Sequence, residues 1–354
     1  MRVTMLAVAT ACVVLAMPVQ AQDASGAAAP TAARRVLNAD AVLVNGEQPG
    51  PEFWLVRSAD GERELYILAT LSPLPGGMQL QSRRIDAVIG NAQEVIRSPS
   101  ISFNVDGGWF KGLLLLPKLL GARKNPDGKK LQDVVSPASY ARWTALKARY
   151  IGRDGGIESW RPLFAAQKLY QEAMKDSGLK NSTAINDVVT AAIDAHSPNV
   201  TVVKHEIVVK DPKPLLKEFS RTTLDDLACF DNTMAQIESE LDTMRLRANA
   251  WATADMEALQ SLPPPYQWEA CSSAISEAGI GKRLGFGDAE RELGDKWMQA
   301  AEAALATNKV TFAMLPMSRM LAAGGFLDKL RAKGYTVLAP DDKVELAPAV
   351  TTPR

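Results

Sequence analysis

The residues of this chain that could perform acid–base or metal chemistry are few. Its 354 residues include only two histidines, His196 and His205, so a metal site with three histidine ligands is impossible. Glu206 directly follows His205, but successive side chains of a strand point to opposite faces, so these two residues would not bind one cation together. We therefore interpret His205 as a structural or surface residue and His196 as an exposed residue at a helix end.

A nucleophilic mechanism has equally little support in the sequence. Ser72 lies in a proline-containing stretch that ends a predicted strand, and a serine nucleophile needs a neighbouring base, which the sequence does not identify. We interpret its side chain as a turn or capping hydroxyl. The chain also has no Gly-x-Ser-x-Gly and no Cys-x-x-Cys motif, which removes two common sequence signals of nucleophilic and redox enzymes.

The first 21 residues have the pattern of a secretory signal peptide. Met1 and Arg2 precede an apolar run over residues 5–17. Residues 18–21 then lead to a cleavage position near Ala21. The run is too short to span a membrane comfortably. We therefore expect export to the periplasm or secretion, with removal of residues 1–21 and no transmembrane segment in the mature chain.

Export gives the two cysteines of the mature chain a specific interpretation. Cys229 and Cys271 would meet an oxidising compartment, in which a disulfide between them is the expected state. Two separate buried thiols are the alternative. Neither state is catalytic, because a nucleophilic thiol needs a base beside it and the sequence identifies none.

Charge and composition exclude several classes of protein. The 40 lysines and arginines balance 40 aspartates and glutamates, so the chain lacks the excess of positive charge that nucleic-acid binding requires, and we expect no nucleic-acid partner. Hydrophobic residues make up 47% of the chain, which is enough for a sizeable core. We predict a disordered Ala- and Pro-rich tether over residues 22–51, one domain over residues 52–342 and a flexible tail over residues 343–354.

The elements that would position any site alternate between strands and helices. Residues 53–56 and 65–68 predict a β-hairpin, and a helix over residues 81–91 followed by a strand over residues 94–97 predicts a βαβ unit. A strand, a helix and a strand over residues 310–338 form a second predicted unit.

The middle of the chain is predicted to be largely helical, over about residues 105–180 and 214–307, with a buried strand over residues 199–206. The apolar run at residues 113–120 is either part of the core, which we favour, or an exposed docking surface. The predicted class is α/β (mixed α and β), with two βαβ-like halves that share a central sheet around the helical middle region.

Several segments of the chain resemble the TraB/GumN family, which is related to the Tiki metalloproteases. The likeness extends from about residue 53 to residue 339. It is carried by residues 65–75, 131–140 and 160–162, with the most specific match at residues 325–337.

Active members of that family use two Gly-x-x-His motifs and acidic residues to hold a divalent metal ion, so the resemblance implies where such a site would lie. The first motif corresponds to residues 69–72, with Ser72 in place of histidine. The second corresponds to residues 316–319, with Arg319 in place of histidine. The resemblance therefore implies that both imidazole ligands are replaced.

The acidic positions of the family pattern are only partly kept. Asp187 and Glu206 correspond to acidic positions, whereas Arg97 or Ser98 stands where another carboxylate is expected. A permanent cation at Arg319 would repel a metal ion. We hypothesise that Arg319 instead pairs with Glu206 or Asp187 in the former metal cleft.

These observations predict an exported, non-catalytic family member that acts as a scaffold or binds a protein, a peptide or a component of the cell envelope, with no cofactor. The alternative is a metal-dependent hydrolase or peptidase that holds manganese, cobalt or zinc with Asp187, Glu206 and His205. A third interpretation is an exported α/β domain that is unrelated to the family.

Overall fold

A computed structural model describes residues 46–48, 51–80, 82–105, 121–181, 183–239, 241–262, 271, 274, 276–322 and 324–342. The predicted signal peptide, residues 22–45 of the predicted tether, the apolar run at residues 113–120 and the predicted tail lie outside the described residues. Residues 46–48, near the end of the predicted tether, form a short strand that pairs with residues 78–80.

The described residues form strands and helices throughout their length. The strands are β1 (Gly46–Gln48), β2 (Phe53–Arg57), β3 (Glu64–Thr70), β4 (Leu74–Pro75), β5 (Met78–Leu80), β6 (Glu94–Ile96), β7 (Ser100–Val105), β8 (Leu179–Lys180), β9 (Asn199–Thr201), β10 (Lys204–Val209), β11 (Val310–Pro316) and β12 (Thr336–Leu338). The α-helices are α1 (Arg83–Asn91), α2 (Leu131–Val134), α3 (Pro137–Tyr150), α4 (Pro162–Asp176), α5 (Ala184–His196), α6 (Pro212–Arg221), α7 (Leu227–Ser239), α8 (Leu241–Ala252), α9 (Met256–Ser261), α10 (Gly279–Arg283), α11 (Phe286–Thr307), α12 (Met317–Met320) and α13 (Phe326–Ala332).

Six strands form the main sheet, in the order β12-β2-β3-β11-β6-β9. The predicted hairpin is confirmed, because β2 and β3 pair antiparallel with Phe53 opposite Leu68. Strand β11 pairs in parallel with β3 on one side and with β6 on the other. Its central residues Phe312 and Ala313 are fully buried. The last described strand but one in the sequence therefore lies in the middle of the core.

Both predicted βαβ units belong to this sheet. Helix α1 connects β3 to β6, and its buried residues Ile85 and Ile89 lie one helical turn apart. Helix α13 connects β11 to β12 at the opposite edge. It packs on α11 through Phe326 and Trp297, whose rings lie 4.9 Å apart edge to face. The structure therefore confirms a mixed α/β fold with two halves that share one sheet.

The helical middle region builds a second core from α2, α3, α4 and α7. Trp143 of α3 and Phe230 of α7 are fully buried, with ring centroids 5.5 Å apart. The start of α3 follows the sequence signal, because Ser136 Oγ accepts a hydrogen bond from the Ser139 N–H at 3.0 Å and Pro137 occupies the first helical position.

A buried arginine ties this helical region together. The Arg161 guanidinium is 1% exposed and donates to the backbone carbonyls of Lys124, Phe219 and Thr222. Asp226 lies nearby and accepts the Leu163 N–H at 2.8 Å at the start of α4. Burial lowers the pKa of Arg161 and raises the pKa of Asp226 from their ordinary values. The arginine holds the segment before α4 against the end of α6.

The predicted disulfide is confirmed. Cys229 of α7 is bonded to Cys271, with the two Cα atoms 4.7 Å apart. Cys229 is 1% exposed and packs with Leu163 and Leu224. The bond closes a loop of 42 residues in sequence separation, so it restrains the whole stretch that contains α8 and α9.

The predicted buried strand over residues 199–206 is wrong in two respects. The segment is divided into β9, at the edge of the main sheet, and β10, which pairs in parallel with β7 beyond the end of β6. It is also largely open to solvent, since Val200 is 42% exposed and Val202 is 60% exposed. The β-branched residues predicted a strand, but they did not reveal that this strand lies at a sheet edge.

Candidate functional site

Ser72 and Arg319, the two positions that the resemblance aligns with histidines, follow neighbouring parallel strands. Ser72 comes two residues after β3, and Arg319 lies in α12, directly after β11. The strands are in register to their last residues, with Thr70 opposite Pro316. Both residues therefore belong to the carboxyl edge of the main sheet, where open α/β folds bind their ligands.

Ser72 has a neutral neighbour in the structure. Its Oγ donates to Asn181 Oδ1 across 3.4 Å, and a side-chain amide is not a general base at neutral pH. The adjacent end of β3 is fixed by Trp251 of α8, whose Nε1–H donates to the Ala69 carbonyl at 2.7 Å. The hydrogen-bond partner that the described residues give Ser72 is therefore a side-chain amide.

Arg319 pairs with a carboxylate that the sequence did not indicate. Its Nη2 lies 3.4 Å from Glu290 Oε1, because α11 passes beside α12. Glu290, and not Glu206 or Asp187, is thus the ion-pair partner, and the hypothesised pairing is wrong. Arg319 is 32% exposed and Glu290 is 50% exposed, so water reaches both side chains and the pair contributes little to stability.

The two acidic residues that fit the family pattern lie on different elements. Glu206 is on β10, where its Oε1 accepts from Asn104 Nδ2 of β7 at 2.8 Å. Asp187 is in the first turn of α5, where its Oδ2 accepts from Thr183 Oγ1 at 2.9 Å. An acidic side chain in this first turn also interacts favourably with the helix dipole.

The two histidines each lie beside a carboxylate. His205 Nδ1 lies 3.2 Å from Glu292 Oε2 of α11, on the face of β10 opposite to the exposed Glu206, as the strand alternation predicts. His196 ends α5, and its Nε2 lies 3.1 Å from Asp86 Oδ1 of α1. These contacts join neighbouring elements of the scaffold.

A second arginine stands at the carboxyl edge. Arg97 directly follows β6, and both of its Nη atoms lie 3.1 Å from Thr190 Oγ1 of α5. Among the described residues, no carboxylate lies within 4 Å of this guanidinium. The ends of β6 and β11, which are neighbours in the sheet, therefore each carry an arginine.

The residues at the former motif positions do not fit a divalent metal ion. A guanidinium has no lone pair to give to a metal and repels it by charge. Within the described residues, no group of three or more His, Cys, Asp or Glu side chains is arranged to hold a metal ion. The chemistry of Ser72 and Arg319 favours hydrogen bonding and ion pairing over metal ligation.

An apolar depression lies beside these residues on the carboxyl edge. Its walls come from β2 and the residues before it, from β3, from α8 and α9, from α12 and the residue after it, and from the segment after β12, and they include Trp54, Ala69, Trp251, Met256, Met317 and Leu321. Leu321 is 44% exposed at its rim. No motif marks these residues, because segments far apart in the sequence contribute them.

Gly325 fixes the turn that follows Arg319. A Cβ atom at this position would lie 2.5 Å from the Ala322 carbonyl oxygen and 2.8 Å from the Arg319 carbonyl oxygen. We expect Gly325→Ala to lower the free energy of unfolding by about 1–3 kcal/mol, because backbone atoms must move to admit the methyl group. Urea denaturation followed by tryptophan fluorescence measures this change.

Gly294 of α11 offers a matched control. A Cβ there would lie 3.7 Å from Phe326 Cζ, an ordinary contact distance. We expect Gly294→Ala to leave stability unchanged or to raise it by up to about 1 kcal/mol through helix propensity. Equal losses for the two variants would contradict the steric explanation.

Comparison with known proteins identifies one family. The model of the TraB/PrgY/gumN family matches residues 53–339. No curated protein and no solved structure matches the chain. Among the described helices, none combines the length and hydrophobicity needed to cross a lipid bilayer.

Proposed function

The chain belongs to the TraB/PrgY/gumN family, and on that premise we propose that it is an exported, non-catalytic member that binds a partner at the carboxyl edge of its main sheet. The observation that carries the proposal is the position of Arg319. It lies in α12, which directly follows the central strand β11, at the edge where open α/β folds bind ligands, and it supplies a positive charge that does not titrate at neutral pH.

The composition of the edge indicates what kind of partner it suits. Arg97 and Arg319 can donate to carboxylate or phosphate groups. A protein, a peptide or a component of the cell envelope offers such groups.

Export rests on two independent features. The first 21 residues have the pattern of a signal peptide, and the Cys229–Cys271 bond is typical of proteins that fold outside the reducing cytosol. We therefore place the mature protein in the periplasm or outside the cell.

Metal content is the first test of the non-catalytic proposal. Purified mature protein is incubated separately with manganese, cobalt or zinc, freed of unbound ion by gel filtration and analysed for bound metal by mass spectrometry. We expect the wild type to retain substoichiometric metal, since Ser72 and Arg319 replace the two imidazole ligands. Stoichiometric metal on the wild type would contradict the proposal and favour a metal-dependent hydrolase.

A double variant shows whether the two positions still converge. We expect Ser72→His with Arg319→His to gain cobalt or zinc binding, visible as cobalt absorption bands, because two imidazoles then follow neighbouring strands. Ser220→His with Arg331→His is the matched control, since it adds the same side chains at a partly exposed and an exposed position outside this edge. Equal metal uptake by the two variants would show surface binding.

A further inference from the structure

The outer side of β9 and β10 is an open strand edge. The Arg97 N–H donates to the Thr201 carbonyl, and the Ser100 N–H donates to the Val203 carbonyl. Residues 201 and 203 therefore direct their backbone groups toward β6 and β7. Because these groups alternate along a strand, the N–H and C=O groups of the even-numbered residues 202–208 point away from the sheet. Within the described residues, β9 pairs only with β6 and β10 only with β7.

The side chains of the same even-numbered residues form an exposed and ordered pattern. Val202 is 60% exposed and Val208 is 49% exposed, and both Lys204 and Glu206 are exposed between them. The pattern along this face is valine, lysine, glutamate, valine. Residues at equal distances on either side of His205 are similar in size, and the two nearest, Lys204 and Glu206, carry opposite charges. An open, apolar edge of this kind readily pairs with another strand.

We propose that the partner strand is the same segment of a second copy, paired antiparallel about a two-fold axis at His205. In this register Lys204 lies opposite Glu206 of the second copy, and Val202 lies opposite its Val208. Each even-numbered residue then faces an even-numbered residue, so the outward N–H and C=O groups of the two chains meet and form hydrogen bonds. The dimer joins the β7–β10 strand pairs of the two copies across a self-complementary interface.

Charge selects this register over its neighbours. Centring the axis on residue 204 would place Lys204 opposite Lys204 of the second copy, and centring it on residue 206 would oppose Glu206 to Glu206. Directly opposed like charges destabilise a strand pair, whereas opposite charges stabilise it. Of the three registers centred on residues 204, 205 and 206, only the one centred on His205 pairs opposite charges, and this self-complementarity favours a second copy of this chain over an arbitrary extended peptide.

Exchange of charges tests the interface. The oligomeric state of mature wild-type protein is measured by sedimentation velocity over a concentration series, together with Lys204→Glu and Glu206→Lys. We expect a dimeric wild type, and a dissociation constant raised about 30-fold in each single variant, because two symmetric ion pairs become two like-charge pairs. The matched control Lys129→Glu, at an exposed position outside this edge, should leave the dimer unchanged.

Mixing the two single variants gives the decisive result. One chain then carries glutamate at residues 204 and 206 and the other carries lysine at both, so every opposed pair is complementary. We expect the mixture to form a heterodimer with near wild-type affinity, and the double exchange Lys204→Glu with Glu206→Lys to form a homodimer. A monomeric wild type, a dimer that is insensitive to the single exchanges, or a mixture that does not associate would overturn the proposal.

Discussion

Replacing Arg161 by methionine is expected to lower the free energy of unfolding by about 3–5 kcal/mol. Methionine has a similar length and no charge, so the change removes the hydrogen bonds to three backbone carbonyls and leaves those carbonyls buried. It also removes a positive charge that partly offsets the rise that burial causes in the pKa of Asp226. Urea denaturation followed by circular dichroism measures the loss as a shift of the midpoint.

Two further variants separate the possible causes. Arg161→Lys keeps the charge but cannot reach three carbonyls with one planar group, so its loss should be intermediate. Arg149→Met removes an exposed arginine that stacks on Tyr150, and its effect should stay within about 0.5 kcal/mol. A loss below about 1 kcal/mol for Arg161→Met would show that water replaces the guanidinium at this position.

Removal of the disulfide is expected to have a similar effect. For a loop that separates Cys229 and Cys271 by 42 residues, the double variant Cys229→Ser with Cys271→Ser should lose about 3–4 kcal/mol of unfolding free energy. The physical reason is that the unfolded chain gains conformational freedom when the bond is absent. Guanidinium denaturation of both proteins gives the difference.

Reduction supplies the internal control for this experiment. Wild-type protein in the presence of a phosphine reductant should reach the stability of the double variant, whereas the double variant should not respond to the reductant. Equal stability of oxidised and reduced wild type would mean that the bond adds no net stabilisation to this fold, despite the loop that it closes.

The sequence was sufficient to predict the sheet and its two βαβ units. Continuous apolar runs such as Leu65–Leu68 and the turn before them indicate a hairpin from local information alone. The spacing of Ile85 and Ile89 likewise indicates a helix. What these patterns could not indicate is order within the sheet. The insertion of β11 between β3 and β6 depends on contacts between residues far apart in the chain.

The sequence indicated where the candidate site residues lie relative to the strands, but it did not indicate which residues they contact. Motif spacing located Ser72 and Arg319 after two strands, and the structure places those strands side by side. The pairing of Arg319 with Glu290 could not be predicted, because it depends on how α11 passes α12. The apolar depression beside Trp251 was missed for a related reason, since its walls come from several separate segments.

The central position of β11 also governs when this protein can fold. Strands β3 and β6 are made early, yet they do not touch each other in the sheet and are joined only through β11, more than 200 residues later. A chain that emerges from its amino end therefore lacks a completed sheet until its last fifth has been made. If the chain is exported as proposed above, its main sheet cannot be complete before the carboxyl-terminal part of the chain has been made, which suits passage through a narrow translocation channel.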